Sequence, residues 1–260
     1  MKSQFLHLIF AMLPLFTLSQ QTDSVSFKNT ITVQYEYFHF DKQFTNDWHI
    51  AGIEYKHEAK KSALLARFNY ANRLAQNGWQ AELEAYPKFS KNVYSYAGIS
   101  YSPNMPVFPK FRAGYSLYVN VPKAIELEGG FRYLYFDKNI LVGVAGIGIY
   151  TGNWFLQARS FLSDNNGFNF AGIATARRYF GEMNDYAWLQ IGTGVSPDET
   201  RNIQFTTNQR LYSNRITIGI RKSIQQKHLL LFHTGYSRDE YKAKTFGNQY
   251  FGSIGYARRF

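Results

Sequence analysis

The residues able to do chemistry in this chain alternate with apolar ones. In "RFNYANRLAQNGWQAELEAYPK", Arg67, Asn69 and Arg73 share one face of an extended segment, and Glu82 and Glu84 share one face of the next. Glu54 and Lys56 precede them with the same phase, and Arg112, Glu126, Glu128 and Arg132 repeat the arrangement further on. Fixed charges of both signs on facing strands can neutralise one another and set strand register. They can also line a polar path that selects a solute by charge. The sequence leaves both readings open. Arg159, Arg215 and Arg221, in the same phase, turn the second reading toward anions.

Catalytic and metal chemistry fit the chain less well. His233 and Ser237 fall on one face of "HTGYS", but two strand steps place them about 13 Å apart, too far for a nucleophile and its base. His39 sits near Asp41 and Asp47 in the order of a rim cluster. His49 and His57 share a face eight residues apart, and there is no cysteine, so no metal-ligand spacing is present. The glycines of "VGVAGIGIY" lie inside a strand pattern rather than at a strand-to-helix turn, so a nucleotide loop is excluded on context. No cofactor is expected.

The elements carrying these residues are strands. Ile31, Val33, Tyr35 and Tyr37 alternate with Thr32, Gln34 and Glu36; Ile216, Ile218 and Ile220 alternate with Arg215, Thr217, Gly219 and Arg221. Turn signals such as "QNG", "NVPK", "FDKN", "YTGN" and "GEMND" separate the runs. The spacing predicts about 14 strands, at roughly 28–40, 46–58, 61–73, 77–88, 91–102, 110–120, 123–136, 138–150, 153–163, 167–180, 185–196, 208–224, 226–238 and 245–260. A missed or false hairpin changes the number by two, so 12 stays open. Soluble strands average about 5–6 residues, whereas a strand tilted through a bilayer needs about 9–11. The expected fold class is therefore all-β, a transmembrane antiparallel β-barrel. The odd connections contain the three longest gaps, at about 103–109, 197–207 and 239–244, as outward-facing loops do when both termini lie on the inner side. Between the third and fourth strands, Asn77-Gly78 predicts a type I′ turn. That turn would set Arg73 opposite Glu82.

Both ends fit this reading. Lys2, an apolar run from Phe5 to about Leu18, and polar Ser19 to Gln21 have the layout of a secretory signal peptide over 1–20, leaving a barrel over 21–260. The closing "YFGSIGYARRF" sets Tyr250, Ile254, Tyr256 and the terminal Phe260 on one face. It is similar to the C-terminal strand by which bacterial barrels are recognised by their assembly machinery, with Arg258 as a departure at the membrane edge. Aromatics make up 18% of the chain, with 20 Tyr and 23 Phe. Trp48, Trp79, Trp154 and Trp188 near strand starts are expected in interfacial girdles. Charged residues are only 18%, against about 25% in soluble domains. The net charge of +11 in an exported protein points to acidic lipid headgroups or an anionic solute rather than nucleic acid.

Several segments resemble the YaiO-type family of outer-membrane β-barrels: "AGIEYKHE" (51–58), "ARFNYANRL" (66–74), "QAELEAYPKF" (80–89), "YSYAGISYSP" (94–103), "FPKFRAGYSLY" (108–118), "ELEGGFRYLYF" (126–136), "ARRYF" (176–180) and "GYARRF" (255–260). The resemblance implies a barrel in the outer membrane of a Gram-negative bacterium. Its partners would be outer-membrane lipid, lipopolysaccharide and, during biogenesis, the assembly machinery. It implies no catalytic set. The function expected is a non-enzymatic narrow pore or binding barrel for small anionic solutes. A scaffold barrel of an envelope or surface-polysaccharide system, and an outer-membrane enzyme acting on lipid or peptide, are the alternatives; oligomeric state stays open.

Overall fold

The computed structural model describes residues 27–164, 168–197 and 212–260. The expected signal peptide lies outside them, as does most of the segment expected to link the eleventh and twelfth strands. The described chain forms fourteen strands: β1 (Asn29–Phe40), β2 (Trp48–Ala59), β3 (Ser62–Arg73), β4 (Gln76–Pro87), β5 (Val93–Tyr101), β6 (Phe111–Val121), β7 (Ile125–Tyr135), β8 (Asn139–Thr151), β9 (Trp154–Asp164), β10 (Phe168–Phe180), β11 (Glu182–Thr193), β12 (Ser213–Ile224), β13 (His228–Lys242) and β14 (Thr245–Arg259). Each pairs antiparallel with its sequence neighbours, and β1 pairs with β14 to close the barrel. The ring must close because a sheet edge in lipid would leave backbone groups without partners. Asn29 and Phe260 exchange backbone hydrogen bonds of 2.9 Å at the seam.

The period-two pattern orients the wall as the sequence predicts. Val33, Tyr35, Ile53, Phe68, Leu83, Ile99, Phe131, Ile218 and Phe232 are large, apolar and exposed on the outside. In a bilayer this band is the lipid contact. Tyr250, Ile254, Tyr256 and Phe260 lie in it as well, and Arg258 is exposed at its edge. The odd connections at 41–47, 102–110 and 194–212 are long. The expected long connection at 239–244 is instead a tight hairpin, because β13 and β14 continue pairing out to Lys242 and Thr245.

Two expectations are corrected. Trp79 and Trp154 are outside at 37% and 42% exposure, but Trp48 is 1% exposed and faces inward with Ile50. Trp188 also faces inward, opposite Arg177 and Gly219. Strand phase, not proximity to a strand start, decides which side an indole takes. The β3–β4 register differs too. The turn is Leu74-Ala75, both left-handed with φ of 57°, and Arg73 pairs with Gln76 while Arg67 stands opposite Glu82. Asn77 and Gly78 belong to β4, opposite Asn72 and Ala71. The slip moves partners along the strand by an even count, so every side chain keeps its predicted face.

This register has a direct test, since the chain has no cysteine. Directly opposed Cα atoms in antiparallel strands are about 4.5–5.5 Å apart, inside disulfide range. Asn72→Cys with Asn77→Cys is expected to cross-link on oxidation, read as a mobility change on non-reducing gels. An Asn77-Gly78 turn would instead place residue 72 opposite Leu83, so cross-linking of Asn72→Cys with Leu83→Cys would overturn the observed pairing.

Candidate functional site

All nine charged or polar residues predicted to face inward do so, because each shares strand phase with buried neighbours. The structure gathers most of them into two networks. In the first, Arg67 Nε donates to Glu54 Oε2 at 3.0 Å, and its Nη1 lies 3.6 Å from Glu82 and 3.7 Å from Glu84. Asn69 donates to Glu82, Arg112 reaches Glu82 at 3.5 Å, and Tyr86 donates to Glu84 at 3.1 Å. In the second, Arg159 grips Glu128 with two bonds of 2.7 and 2.8 Å. Ser116 and Tyr118 each donate to Glu128 at 2.9 Å. Arg132 lies 3.8 Å from the same carboxylate and 4.7 Å over the Tyr96 ring. Tyr94 donates to Glu126 at 2.8 Å. Arg73 is buried between Trp48 and Phe108, 5.5 and 4.8 Å from their ring centroids.

The predicted pairing of Arg73 with Glu82 is thus replaced by Arg67 with Glu82. Arg159, read from sequence as one of the solute-selecting cations, is committed to Glu128. The tyrosines that complete the carboxylate shells were legible as inward-facing positions, but a tyrosine on an alternating strand reads equally well as a girdle residue.

A second feature was not expected. The outer half of the lumen beside β1–β3 and β7–β9 is filled by apolar side chains, including Phe38, Phe40, Trp48, Leu134, Ile140 and Phe161. The 102–110 connection folds inward and adds Val107 and Phe108 to this cluster. "NILVGVAG" carried the signal, since both faces of that strand are apolar, the pattern of a strand buried on two sides.

The lumen is therefore electrically two-sided. Glu36, Glu54, Glu82, Glu84, Glu126 and Glu128 all project from β1–β7. Among the described residues, the buried inward carboxylate of β8–β14 is Asp239, near the outer end of β13, which accepts from Ser213 at 2.6 Å and Ser237 at 2.9 Å. The same inward faces carry Arg159, Arg177, Arg215 and Arg221. On the inward faces of β10–β13, Arg177, Gln190, Arg215, Arg221 and His233 are half-buried and Ala171, Thr217, Leu229, Ser237 and Asp239 are buried, while Glu82, Glu126, Glu128, Arg132 and Val142 opposite are buried. The half-buried Arg177, Arg215 and Arg221 thus lie on this wall. A groove of about 1160 Å³ indents the other side of β8–β12, where Ala145, Ala158, Gly172 and Ala174 are small. It opens on the lipid face and is not part of the lumen.

The rim histidine has a different acid partner from one of the two expected. His39 Nδ1 is 2.9 Å from Asp47, whose carboxyl is held below the usual carboxylate range by the Tyr37 hydroxyl first and by His39 second. Asp41 accepts from Asn248 at 2.6 and 2.7 Å instead. Ser237 Oγ lies 2.9 Å from Asp239 Oδ2 and 3.0 Å from Gln249 Oε1. Among the described residues, no group of three or more His, Asp or Glu is placed to hold a metal.

Residues 28–199 match the YaiO membrane beta barrel domain; residues 200–260 lie beyond the match. No curated relative matches the chain. Among solved structures, the fold is similar to the CymD monoaromatic hydrocarbon channel (TM-score 0.59, 7% identity, covering 90% of this chain and 88% of that one). It is also similar to the Acinetobacter baumannii outer membrane protein Omp33 (0.52, 11%, 90% and 98%) and to a bacterial polysaccharide outer membrane secretin (0.52, 8%, 91% and 100%). At these identities the likeness is one of fold.

Proposed function

The chain belongs to the YaiO membrane beta barrel family, and from that premise we propose that it works in the outer membrane of a Gram-negative bacterium as a non-enzymatic pore or binding barrel for small anionic solutes. One observation carries this reading: Arg177, Arg215 and Arg221 line the half-buried part of the inner wall of β10–β12, while Glu54, Glu82, Glu84 and Glu128 opposite lie against their own arginines. An anion passing along that wall meets three cations, and the Asp239 carboxylate near its outer end is occupied by Ser213 and Ser237. Outer-membrane lipid and lipopolysaccharide would surround the apolar band, and the face bearing Tyr250, Ile254, Tyr256 and Phe260 would be read by the assembly machinery.

The apolar filling of the outer half favours a second reading, a plugged scaffold barrel. Planar-bilayer recording separates the two. An anion-selective reversal potential is expected under a salt gradient, moving toward cation selectivity in Arg215→Glu/Arg221→Glu. A folded barrel with no conductance in either form would sink the through-path and leave the scaffold.

A further inference from the structure

Within the anion-path reading, on which this inference rests, two arginines stand together on one stretch of the inner wall. Arg177 on β10 stands opposite Phe155 on β9 and Trp188 on β11, and Trp188 stands opposite Gly219 on β12. One row nearer the inner rim, Tyr179 faces Tyr186, and Tyr186 faces Arg221. Directly opposed residues share a face, so all of these project into the lumen. The Trp188 indole lies flat over Gly219, where a Cβ would come within 2.6 Å of it. Glycine at 219 thus lets the bulky indole pack close against the wall.

The surroundings of these arginines are aromatic. The Arg177 guanidinium lies 4.6 Å from the Tyr186 ring centroid and 5.9 Å from that of Phe155, and its Nη1 donates to the Tyr179 hydroxyl at 3.2 Å. Of the acids on β11, Glu182 at the inner rim accepts from Ser223 at 3.1 Å and Asp185 accepts from Lys222 at 2.6 Å. The Nε atoms of Arg177 and Arg221 are both buried with no hydrogen-bond partner among the described residues. A buried guanidinium N–H without an acceptor is costly, and such groups are rare unless a partner is supplied from outside. Two of them stand on adjacent rows of one inward wall, which points to an acceptor supplied from outside.

We propose that Arg177 and Arg221 together hold the carboxylate of a small organic anion whose flat body packs among Phe155, Tyr186 and Trp188. The planar guanidinium fork matches a carboxylate. The rings offer faces for an apolar or aromatic body, and the site lacks the several backbone N–H groups of a phosphate cradle.

Calorimetric titration of the folded barrel in detergent micelles tests this without requiring conduction. Benzoate is expected to bind saturably and acetate about tenfold more weakly, the loss of ring packing. Inorganic phosphate is expected to show no saturable binding. Arg177→Gln and Arg221→Gln are each expected to weaken benzoate about tenfold or more. Arg177→Lys should not restore it, because an ammonium lacks the fork, and Arg258→Gln on the outer face should change nothing. Absence of benzoate binding to the unaltered protein, or binding indifferent to both glutamine substitutions, would overturn the site. Phosphate binding as tightly as benzoate with the same arginine dependence would overturn the organic body. A silent barrel that still binds benzoate keeps the site and loses only the through-path; a conducting barrel that does not bind it has the reverse outcome.

Discussion

Glu128→Gln is expected to destabilise the barrel by about 3–5 kcal/mol, the cost of breaking a buried pair by removing one partner. Glutamine keeps the shape of the side chain and can still accept from Ser116 and Tyr118. What it loses is the negative charge gripped by Arg159 and faced by Arg132. The Glu128 side chain is 2% exposed, so water cannot take the place of that charge. The measurement is reversible urea unfolding in lipid vesicles, followed by tryptophan emission. Glu58→Gln is the control: Glu58 pairs with Lys56 at an exposed strand end, and a change within about 1 kcal/mol is expected there. Arg159→Gln added to Glu128→Gln should recover part of the loss, because it removes the stranded cation. If Glu128→Gln costs no more than Glu58→Gln, the network contributes nothing to holding the two halves of the barrel together.

That network also explains how much of the site the sequence exposed. Which side chains face inward is a property of strand phase, and phase survives errors of register by an even count. Arg67, Arg112, Glu82, Glu126, Glu128 and Arg132 were therefore legible as lumen residues before their partners were. The partners depend on turns, and here tertiary structure overrides turn chemistry. Leu74-Ala75, Lys123-Ala124 and Gln225-Gln226 all adopt left-handed conformations with φ between 50° and 69°. None of the six is glycine or asparagine, and each such residue costs roughly 1–2 kcal/mol. The right-handed strand twist selects this hairpin geometry, and the pairing on either side holds the residues in it. Asn77-Gly78 was a strong local signal that lost to Leu74 packing against the core and Arg67 facing Glu82.

The apolar mouth escaped detection for a different reason. Alternation separates two faces but does not say which is inside when both are apolar, as on β8. The inward fold of 102–110 leaves no periodic trace at all. Its trace is Gly78, a residue that turn rules claimed for another purpose.

Gly78→Val is accordingly expected to open the outer mouth. Gly78 is buried on β4 beside the inward-folded segment, and a Cβ there would lie 2.8 Å from both Asn104 Cβ and Val107 Cγ1. Valine adds two further methyl groups, and the backbone at 78 is not in the left-handed region, so β4 accepts a good strand former. The clash must be relieved by the segment. That segment is held by the Trp79 N–H bond to Asn104 Oδ1 at 3.1 Å, by Phe108 against Arg73 and by the burial of Val107. Displacing Val107 and Phe108 removes part of the apolar constriction through which water and ions are excluded by dewetting. Single-channel conductance should rise several-fold while the folded fraction, read by far-UV circular dichroism, stays high. Gly129→Val is the matched control, since a Cβ at Gly129 meets nothing within 4 Å, and it should leave conductance unchanged. A folded Gly78→Val barrel with the conductance of the parent would show that 102–110 does not close the mouth. An increase confined to Gly78→Val would make this segment the plug and the arginine wall the path behind it.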